Sequence, residues 1–480
     1  MMQQKGIAFP LIAVAGIALF GNGLKAIVSS SVLVSEAQFA EFMRISLEHT
    51  GLLMESIMAG MVIALGVCPI LLQRISPRTL GIGASAIAAA AFAAFGAVEM
   101  AQPGGWAREL AVFACFTLGA GALACLAPAS QALIASATIA VTARGPMTTV
   151  WTGAAPAGFL AAPQLVKFVL PLLGLGGYFL AFSVFPVVVL VLLVLVVYVQ
   201  SPEHAATAGD QLPTRVLLSF VSVVAAFELW STLGSLNGYV QPATWAGLAV
   251  LAACLALFAR SLRNAALPAT ALGNSRWLLA ALFLLELPTT GFFDTAYLFG
   301  NGMTQGFVAD RSTLAAASQI AGTVLAGVLR HGRPAREWPL LVGATAITIA
   351  GIVAIAAYPW LGDDRAWFLL TPALQGFGVG ALTGLLVLAV MRDAVAHPVL
   401  AALPSLAILF GTEFGLEVLQ LVFAAARAVG QDVHGAYATV FAVEVLLALA
   451  LPVVLAIARL RRVDRDVDGT PGMPADAAHR

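Results

Sequence analysis

The sequence predicts an all-α integral membrane protein, and three observations support this fold class. The chain is 60% hydrophobic and only 10% charged, its mean hydropathy is +0.95, and long uncharged segments recur along its whole length. A helix needs about 20 apolar residues to cross a hydrocarbon core about 30 Å thick. Because backbone groups in lipid must be hydrogen-bonded within their own segment, these apolar segments are predicted to be membrane-spanning helices.

Charged residues and turn formers separate fourteen apolar segments, each of a length suited to one span. The first segment follows Lys5 and runs on beyond the apolar region of a signal peptide, so we expect it to be retained. The predicted spans are 7–34, 50–72, 78–100, 108–139, 146–170, 176–199, 213–236, 240–259, 276–303, 312–330, 337–360, 366–390, 400–426 and 434–458.

Basic residues are unevenly distributed between the alternate loops that these spans define. With the amino terminus inside, the outer loops hold only Arg44, Arg108, Arg311, Arg365 and Arg427, and the inner loops and tail hold most of the other arginines. The asymmetry follows the positive-inside rule, and a missed or extra span would reverse it downstream. We therefore expect fourteen spans in a bacterial inner membrane, with both termini cytoplasmic.

The longest inner connection, roughly Gln200 to Pro213, divides the spans into groups of six, two and six. The pentapeptide LFGNG occurs at Leu19–Gly23 and again at Leu298–Gly302, which is either a chance match or the trace of a parallel repeat. We expect the two extra helices to pack outside a central cavity between two six-helix bundles. The predicted domains are an N-terminal six-helix bundle (1–199), a linker with two extra transmembrane helices (200–275), a C-terminal six-helix bundle (276–458) and a disordered cytoplasmic tail (459–480).

Four segments of the first half carry a family resemblance by their order: GVCPILLQRISPRTLG (Gly66–Gly81), LGAGALACLAP (Leu118–Pro128), WTGAAPAGFLAAP (Trp151–Pro163) and GGYFLAFSVFP (Gly176–Pro186). Together they resemble the fourteen-helix branch of the major facilitator superfamily, which contains drug and metabolite exporters. The first segment lacks the family's acidic residue, the second its arginine and the fourth its Trp-Arg-Trp start. Taken singly, each segment is also consistent with ordinary helix packing, because Gly and Pro are common in membrane helices.

The resemblance covers about residues 7–458 and implies secondary transport by two six-helix bundles. The segment Trp151–Pro163 is similar to the Gly-Pro motif of the family's antiporters, with Gly153, Pro156 and Gly158 matching. Small residues at these positions would let helices approach closely, and proline permits bending.

Other functional classes have little support. The 24 basic and 24 acidic residues include no basic block, so nucleic-acid binding is not expected. No HExxH, GxSxG or phosphate-binding Gly-Lys motif occurs, which leaves an integral-membrane enzyme as a weak alternative. A receptor or scaffold is equally weak, since it has no need for many buried acids. The four cysteines lie in apolar segments without CxxC spacing, and no bound cofactor is implied.

Ionisable residues inside the predicted spans are the candidate functional groups. A charge near the bilayer centre costs on the order of 2.5–3.5 kcal/mol on insertion scales, so each should face the protein interior, water or a partner. Glu228 and Glu444 are interpreted as structural. The embedded residues are Lys25, Glu55, Glu228, Glu286, Asp294, Glu413, Glu417 and Glu444.

The thirteenth span places Glu413, Glu417 and Gln420 on one helix face, at i, i+4 and i+7. Two close carboxylates in a low-dielectric medium cannot both ionise at low cost, so the pair is suited to loading and releasing a proton. The alternative is a polar pair bonded across helices. We predict that Glu413 and Glu417 are proton-coupling groups and that Gln420 contacts substrate.

The ninth span repeats this pattern, with Glu286, Thr290 and Asp294 at successive i+4 steps. Asp294 is predicted to take part in proton coupling, and Glu286 and Thr290 are predicted to contact substrate. Glu286 lies nearer the cytoplasmic end.

In the first span Asn22, Lys25 and Ser29 form a stripe, and Glu55 of the second span lies at a depth similar to that of Lys25. Lys25 and Glu55 form either a structural ion pair or part of a substrate site in which the cation meets an anionic group. Asn22, Lys25 and Glu55 are therefore included among the predicted substrate contacts.

The sequence thus predicts a monomeric, proton-coupled exporter of a small amphiphilic or anionic molecule that works by alternating access. A proton-coupled importer of a small organic solute is the main alternative. The expected partners are the substrate, protons and the lipid bilayer.

Overall fold

The computed structural model is entirely helical apart from turns over the residues it describes, which are 5–44, 47–101, 104–135, 141–197, 213–264, 275–289, 291–331, 333–361, 364–393 and 402–467. The first half contains α1 (Lys5–Val34), α2 (Glu36–Met43), α3 (Leu47–Arg74), α4 (Pro77–Ala101), α5 (Trp106–Ala135), α6 (Val141–Phe182) and α7 (Val184–Val197). A helix pair follows, α8 (Thr214–Asn237) and α9 (Pro242–Asn264). The second half contains α10 (Ser275–Glu286), α11 (Phe292–Gly300), α12 (Gln305–Arg330), α13 (Glu337–Ala356), α14 (Arg365–Asp393), α15 (Leu403–Ala428) and α16 (Val433–Val467).

Within the described residues, 11 helical stretches are long and apolar enough to cross a membrane. This number is lower than the predicted fourteen for three reasons. The stretch Ala143–Leu195 is continuous by this measure, the apolar part of α8 is shorter (Leu218–Gly234), and the predicted ninth span is divided into two short helices. The protein is therefore an all-α membrane protein, and the number of crossings stays a prediction.

Gly174 interrupts the long helix α6 with a φ of 69°. This left-handed conformation is open to glycine because it has no side chain to clash with the backbone. The kink falls between the fifth and sixth predicted spans, 146–170 and 176–199, and divides the stretch into two rods.

The ninth predicted span is not one helix. The first rod, α10, ends at Glu286, and α11 begins only at Phe292, after Pro288 and a left-handed Gly291 with a φ of 68°. Proline cannot donate a hydrogen bond to the helix, and the residue before it is biased away from helical conformations. The predicted stripe of Glu286 and Asp294 on one helix face is therefore wrong, because the two residues lie on different rods. Thr290 lies outside the described residues.

The two halves of the chain use the same helix contacts. In the first half α3 packs on α5, α4 on α5, α1 on α6 and α1 on α7. The corresponding contacts of the second half are α12 on α14, α13 on α14, α10 on α15 and α10 on α16. A parallel internal repeat of this kind is a common feature of secondary transporters.

The LFGNG pentapeptide does not mark this repeat. Its first copy lies within α1, whereas the second ends α11, where Asn301 follows the last helical residue and Gly302 is left-handed with a φ of 77°. The two copies occupy different structural positions, which favours the chance interpretation.

Glycines allow the closest helix contacts in each half. A side chain at Gly60 of α3 would collide with the carbonyl group of Thr117 in α5, and one at Gly380 of α14 would collide with the carbonyl group of Gln319 in α12. Backbones that approach this closely need residues without a Cβ, as in other membrane helix pairs.

The two halves meet near one end of the molecule, which we call the arginine-rich end because Arg74, Arg78, Arg144, Arg330 and Arg392 lie at helix termini there. Helix α6 packs on α12 and α14. At the same end Ser405 Oγ donates a hydrogen bond to Gln131 Oε1 over 3.0 Å, and a Cβ at Gly327 would lie 2.7 Å from Thr149 Oγ1.

The buried apolar core also differs between the two ends of the molecule. One continuous core joins both halves near the arginine-rich end and includes Leu133 and Leu406. A separate core lies in the second half toward the opposite end and includes Tyr297 and Phe441. The halves are thus packed together at the arginine-rich end.

The two extra helices differ in their surroundings. Helix α9 is largely exposed, in keeping with a peripheral position. Helix α8 packs on α3 of the first half, and its Phe227 ring contacts Phe410 and Phe414 of α15 in the second half. The expectation of a purely peripheral pair is therefore wrong for α8, which lies against both halves.

The contact between α12 and α14 gives a stability prediction. We expect Gly380→Ala to destabilise the protein by about 1–3 kcal/mol, because the added methyl group meets backbone rather than a mobile side chain. Gly343→Ala in α13 is the matched control, since its Cβ would have no heavy atom within 4 Å. Thermal unfolding of the purified protein in detergent measures both variants. Equal unfolding temperatures would show that this close packing is not needed.

Candidate functional site

Four glutamates from three helices form a cluster between the halves, which we call the acidic cluster: Glu55 of α3, Glu228 of α8, and Glu413 and Glu417 of α15. Glu413 is within electrostatic range of the other three, and Glu228 is within range of Glu55 and Glu417. The sequence-based prediction identified the two residues that share one helix. The structure adds an acid from each of the two neighbouring helices.

Glu417 is held by hydrogen bonds from the extra helix pair. Ser231 Oγ donates to Glu417 Oε1 over 2.7 Å, and the hydroxyl group of Tyr239, just beyond the end of α8, donates to Glu417 Oε2. Donors directed at both oxygen atoms stabilise a carboxylate charge. Glu417 is therefore the member of the cluster best suited to remain ionised.

Glu413 has the opposite surroundings. Its side chain is 9% exposed, and its electrostatic neighbours are the carboxyl groups of Glu228, Glu417 and Glu55. A buried carboxylate beside other carboxylates is costly, and the usual solution is that one of them takes a proton. The geometry thus makes Glu413 a site where a proton can be held next to an ionised Glu417.

Aromatic rings cover one side of the acidic cluster. Phe227 and Trp230 of α8 contact Phe414 of α15, and Phe283 of α10 contacts Phe410 and Phe414. Rings of this size exclude water and lower the local dielectric constant, which strengthens electrostatic interactions between the acids.

Lys25 lies in the middle of α1 with a side chain that is 9% exposed. Its electrostatic partner is Glu286, the last residue of α10 in the other half. Thr412 of α15 donates a long hydrogen bond, 3.5 Å, to Glu286 Oε2. A cation of the first half thus faces a carboxylate at the end of α10 in the second half.

The predicted meeting of Lys25 with Glu55 is not the observed arrangement. Lys25 interacts with Glu286, whereas Glu55 lies within electrostatic range of the acidic cluster. Similar depth in the membrane was the basis of that prediction. Depth does not define the direction in which a side chain leaves its helix. Lys25 is therefore directed toward Glu286, and Glu55 belongs to the acidic cluster.

Asp294 forms a buried ion pair with Arg311 of α12, and both side chains are nearly inaccessible. Asp294 Oδ1 also accepts the backbone N–H of Thr295 over 2.8 Å, as an acid in the first turn of a helix often does. Tyr358 and Glu444 are electrostatic neighbours of this pair. Asp294 is therefore bound within the second half, apart from the acidic cluster.

Asn22 takes part in a packing network in the first half. Its Nδ2 donates to the carbonyl oxygen of Trp151 over 2.9 Å, and Trp151 Nε1 donates to Ser130 Oγ over 3.0 Å. The Oδ1 atom of Asn22 is buried without a hydrogen-bond partner among the described residues. Gln420 is half-buried on α15, three residues beyond Glu417.

Several polar groups escaped prediction from the sequence. Ser231, Tyr239 and Arg311 act through contacts between residues far apart in the chain, and no local pattern marks them. Glu337 at the start of α13 lies between Arg330, 3.2 Å away, and Arg392, 2.6 Å away, at the arginine-rich end. Its position just after an Arg-rich loop was the one available signal.

In the described part of the chain, no group of three or more His, Cys, Asp or Glu side chains is arranged to hold a metal ion. All four cysteines are free. Buried carboxyl groups within electrostatic range of one another, as in the acidic cluster, can bind and release protons.

Comparisons with known proteins identify the fold. No protein-family model matches the sequence, and no curated protein matches it. Solved structures do match. The proton:xylose symporter XylE superimposes with a TM-score of 0.61 at 15% identity, over 93% of this chain and 95% of that chain. A bacterial homologue of the iron transporter ferroportin, in an outward-facing state, gives 0.61 at 12% identity, over 93% and 99%. The human organic anion transporter MFSD10 gives 0.56 at 15% identity, over 92% and 99%.

These similarities extend over nearly the whole of each chain, so the protein has the fold of the major facilitator superfamily. Sequence identities of 12–15% establish the fold alone. The resemblance to this superfamily is thereby supported, and its fourteen-helix exporter branch stays a prediction.

The Asp294–Arg311 pair gives a second stability prediction. Arg311→Met should destabilise the protein by about 3–5 kcal/mol, because Asp294 is left as a buried charge without its cation. Combining Arg311→Met with Asp294→Asn removes both charges and should restore most of the loss. Thermal unfolding in detergent measures the single and double variants. A single variant as stable as the wild type would show that the pair does not hold α11 on α12.

The hydrogen bond from Tyr239 to Glu417 gives a third prediction. Tyr239→Phe should cost about 1.5–3 kcal/mol of stability, the usual contribution of a hydrogen bond to a charged group. Tyr437→Phe is the control, because its ring packs on Tyr297 and Phe423. The two unfolding temperatures are compared in the same detergent. If both substitutions have the same small effect, Glu417 does not depend on α8 for its charge.

Proposed function

We propose that this protein is a proton-coupled secondary transporter of a small amphiphilic or anionic molecule. One observation carries the proposal: within a transporter fold, buried ionisable groups from the two halves and from α8 lie between those halves, within the apolar part of the helices. Charges at such depth are costly and need a role in binding or coupling. The fold also argues against an enzyme or a scaffold.

The proposed topology has fourteen crossings with both termini in the cytoplasm of a bacterium. It is supported by the kink at Gly174 and by the rods α8 and α10–α11, which supply the spans that length alone does not count. The arginine-rich end is then cytoplasmic by the positive-inside rule. We propose bundles at 1–199 and 276–458 and a monomer as the working unit, on the strength of the repeated helix contacts.

Alternating access is supported by the place where the halves touch. Because they pack together at the arginine-rich end, the structure corresponds to a state closed toward the cytoplasm in the proposed topology. Glu55 and Glu417 lie toward the ends of α3 and α15 that are remote from this contact. Protons would thus reach the acidic cluster from the outer side in this state.

The proton step is assigned to Glu413 and Glu417. Protonation of Glu413 removes a charge from a buried group and lowers the cost of closing the helices over it. A differential of a few kcal/mol is enough to change which state dominates. Asp294 enters the scheme as an acid that a proton would release from Arg311, and Gln420, Asn22, Glu55 and Thr290 stay proposed substrate contacts.

Two modes of coupling fit this scheme. In the first, predicted from the sequence, protons enter at the acidic cluster and drive export of the substrate by exchange, which requires proton and substrate to compete. In the second, substrate and proton move together and the protein imports the substrate. The second is favoured by Lys25, since an anion bound to this cation attracts a proton to the acids beside it.

Coupling is tested by substitution of Glu413. We expect Glu413→Gln to abolish transport driven by a pH gradient and to leave exchange of substrate partly intact, because glutamine mimics the protonated acid permanently. The measurement uses proteoliposomes and a panel of fluorescent amphiphilic anions and cations under an imposed pH gradient.

Glu99→Gln in α4 is the matched control, since Glu99 lies outside the acidic cluster near Gly176. If Glu413→Gln and Glu417→Gln both transport normally under the gradient, the proton assignment is wrong and the two acids are structural.

A further inference from the structure

Lys25 and Lys167 are the two lysines whose side chains the structure describes, and their surroundings differ. Lys167 is exposed on α6 with its ammonium group over the Phe168 ring, 5.4 Å from the centroid. Lys25 is buried, and among the described residues no carboxylate forms a salt bridge with its ammonium group. Its electrostatic partner Glu286 lies beyond ion-pair distance. A buried ammonium group in this position lacks an anion in direct contact.

Resting on the proposed transport function, we propose that the substrate is a small organic monoanion whose charged group binds Lys25 between the halves, and that one proton on Glu286 accompanies it, in addition to the proton step assigned to Glu413 and Glu417. The geometry supplies the components of such a site. Lys25 provides the cation, and Thr412, 3.5 Å from Glu286, provides a hydroxyl donor on the facing helix. Carboxylate and sulfonate groups are recognised by this combination of ammonium and hydroxyl donors.

The aromatic rings near Glu286 indicate what the rest of the substrate molecule is like. Phe283 lies one turn before Glu286 on α10, and its ring contacts Phe410 and Phe414 of α15. Aromatic rings bind apolar bodies and exclude water. The site therefore suits a molecule with one anionic group and an apolar or aromatic body rather than a polar sugar.

Charge balance explains why the anion and one proton bind together. When Lys25 is charged and Glu286 is ionised, the pair has a net charge of zero. A monoanion alone would leave a net charge of −1 in a low-dielectric region, whereas a proton on Glu286 restores zero. Anion and proton thus bind with positive cooperativity. The proton comes from the water on the side where the anion binds and leaves with the anion on the other side.

Glu286 has Lys25 as its charged neighbour, and the titratable groups on the surrounding helices are mostly acidic. Helix α15 brings Glu413 and Glu417, and behind it lie Glu55 of α3 and Glu228 of α8, all acidic. Of the remaining helices that pack on α10, α16 carries Glu444, an electrostatic neighbour of Asp294, and α14 carries Arg365 and Arg392 at its two ends. Lys25 is the cation that faces the bound anion, so a second negative charge has no other partner to neutralise it. A cationic substrate would instead compete with protons for the acids.

The charge preference is tested with molecules that share one ring. Benzoate and 1-naphthoate are compared with benzamide and 1-naphthamide and with benzylamine and 1-naphthylmethylamine, by thermal shift of the detergent-purified full chain. We expect the two anions to raise the unfolding temperature and the amides and amines to leave it unchanged. Lys25→Met should abolish the shift, and Lys167→Met should keep it. Lys25→Arg, which retains the charge, should keep part of it.

Cooperativity with protons is measured in weakly buffered solution with a pH-indicator dye. Wild type should take up about one proton for each benzoate bound, and Glu286→Gln should bind benzoate with no uptake, because its neutral amide replaces the protonated acid. Stabilisation by the amines, proton release on benzoate binding, or no stabilisation by either anion would overturn the proposal.

The outcome is separable from that of the proposed function. If benzoate binds with proton uptake but is not moved across proteoliposome membranes in either direction, the site is correct and the transport function is wrong. If the protein in proteoliposomes transports amines and Lys25→Met has no effect, the proposed transport function is correct and the proposed anion site is wrong.

Discussion

The structure is governed by the cost of holding an ionisable group away from water in a membrane. Such a group must find an opposite charge, accept hydrogen bonds or give up its charge. Asp294 with Arg311, and Glu337 with two arginines, use the first solution, and Glu417 uses the second. Among the described residues, Lys25 and Glu413 use neither the first nor the second solution. The pairs tie helices together within the second half, whereas Lys25 and Glu413 lie where the halves face each other.

The contrast between ionisable groups that have partners and those that lack them explains the position of α8. An additional helix outside a complete transporter fold would need only an apolar surface. Helix α8 instead presents Glu228 and Ser231 toward α15, and Tyr239 follows at its end. Its donors hold the charge of Glu417, and its own acid increases the cost of a charge on Glu413. The state of the acidic cluster therefore depends on a helix that a fold of two six-helix bundles alone would lack.

Much of the fold could be predicted from the sequence because lipid imposes a length and a composition on each helix. The order of apolar segments matches the observed rods closely. The break after Glu286 was also accessible, since Pro288 and Gly291 stand in the middle of that segment. It was missed because proline is often tolerated in membrane helices. The environment of α8 had no local signal, as an amphipathic pattern shows that a face is buried but not which helices cover it.

The candidate site was predictable only where one helix supplied it. Glu413 and Glu417 were found because helical spacing places them on one face. Glu55 and Glu228 join them from helices α3 and α8, and the pairing of Lys25 with Glu55 was wrong because equal depth leaves the facing direction open. Arg311 was assigned to an outer loop, yet it lies inside α12 as the partner of Asp294. Contacts between distant segments carry most of the chemistry.

The broken helix connects these observations. Because α10 ends at Glu286, the last carbonyl groups of that rod lie beside the carboxyl group, and a helix carboxyl end has a partial negative charge. This environment favours a nearby cation and disfavours a second negative charge. Lys25 is therefore attracted to the end of the rod as well as to the side chain, and Glu286 becomes neutral at lower cost than an acid within a continuous helix. A continuous ninth span would remove this asymmetry and leave Lys25 and Glu286 as an ordinary ion pair. The break thus places Lys25 beside an acid that can become neutral, rather than in an ordinary ion pair.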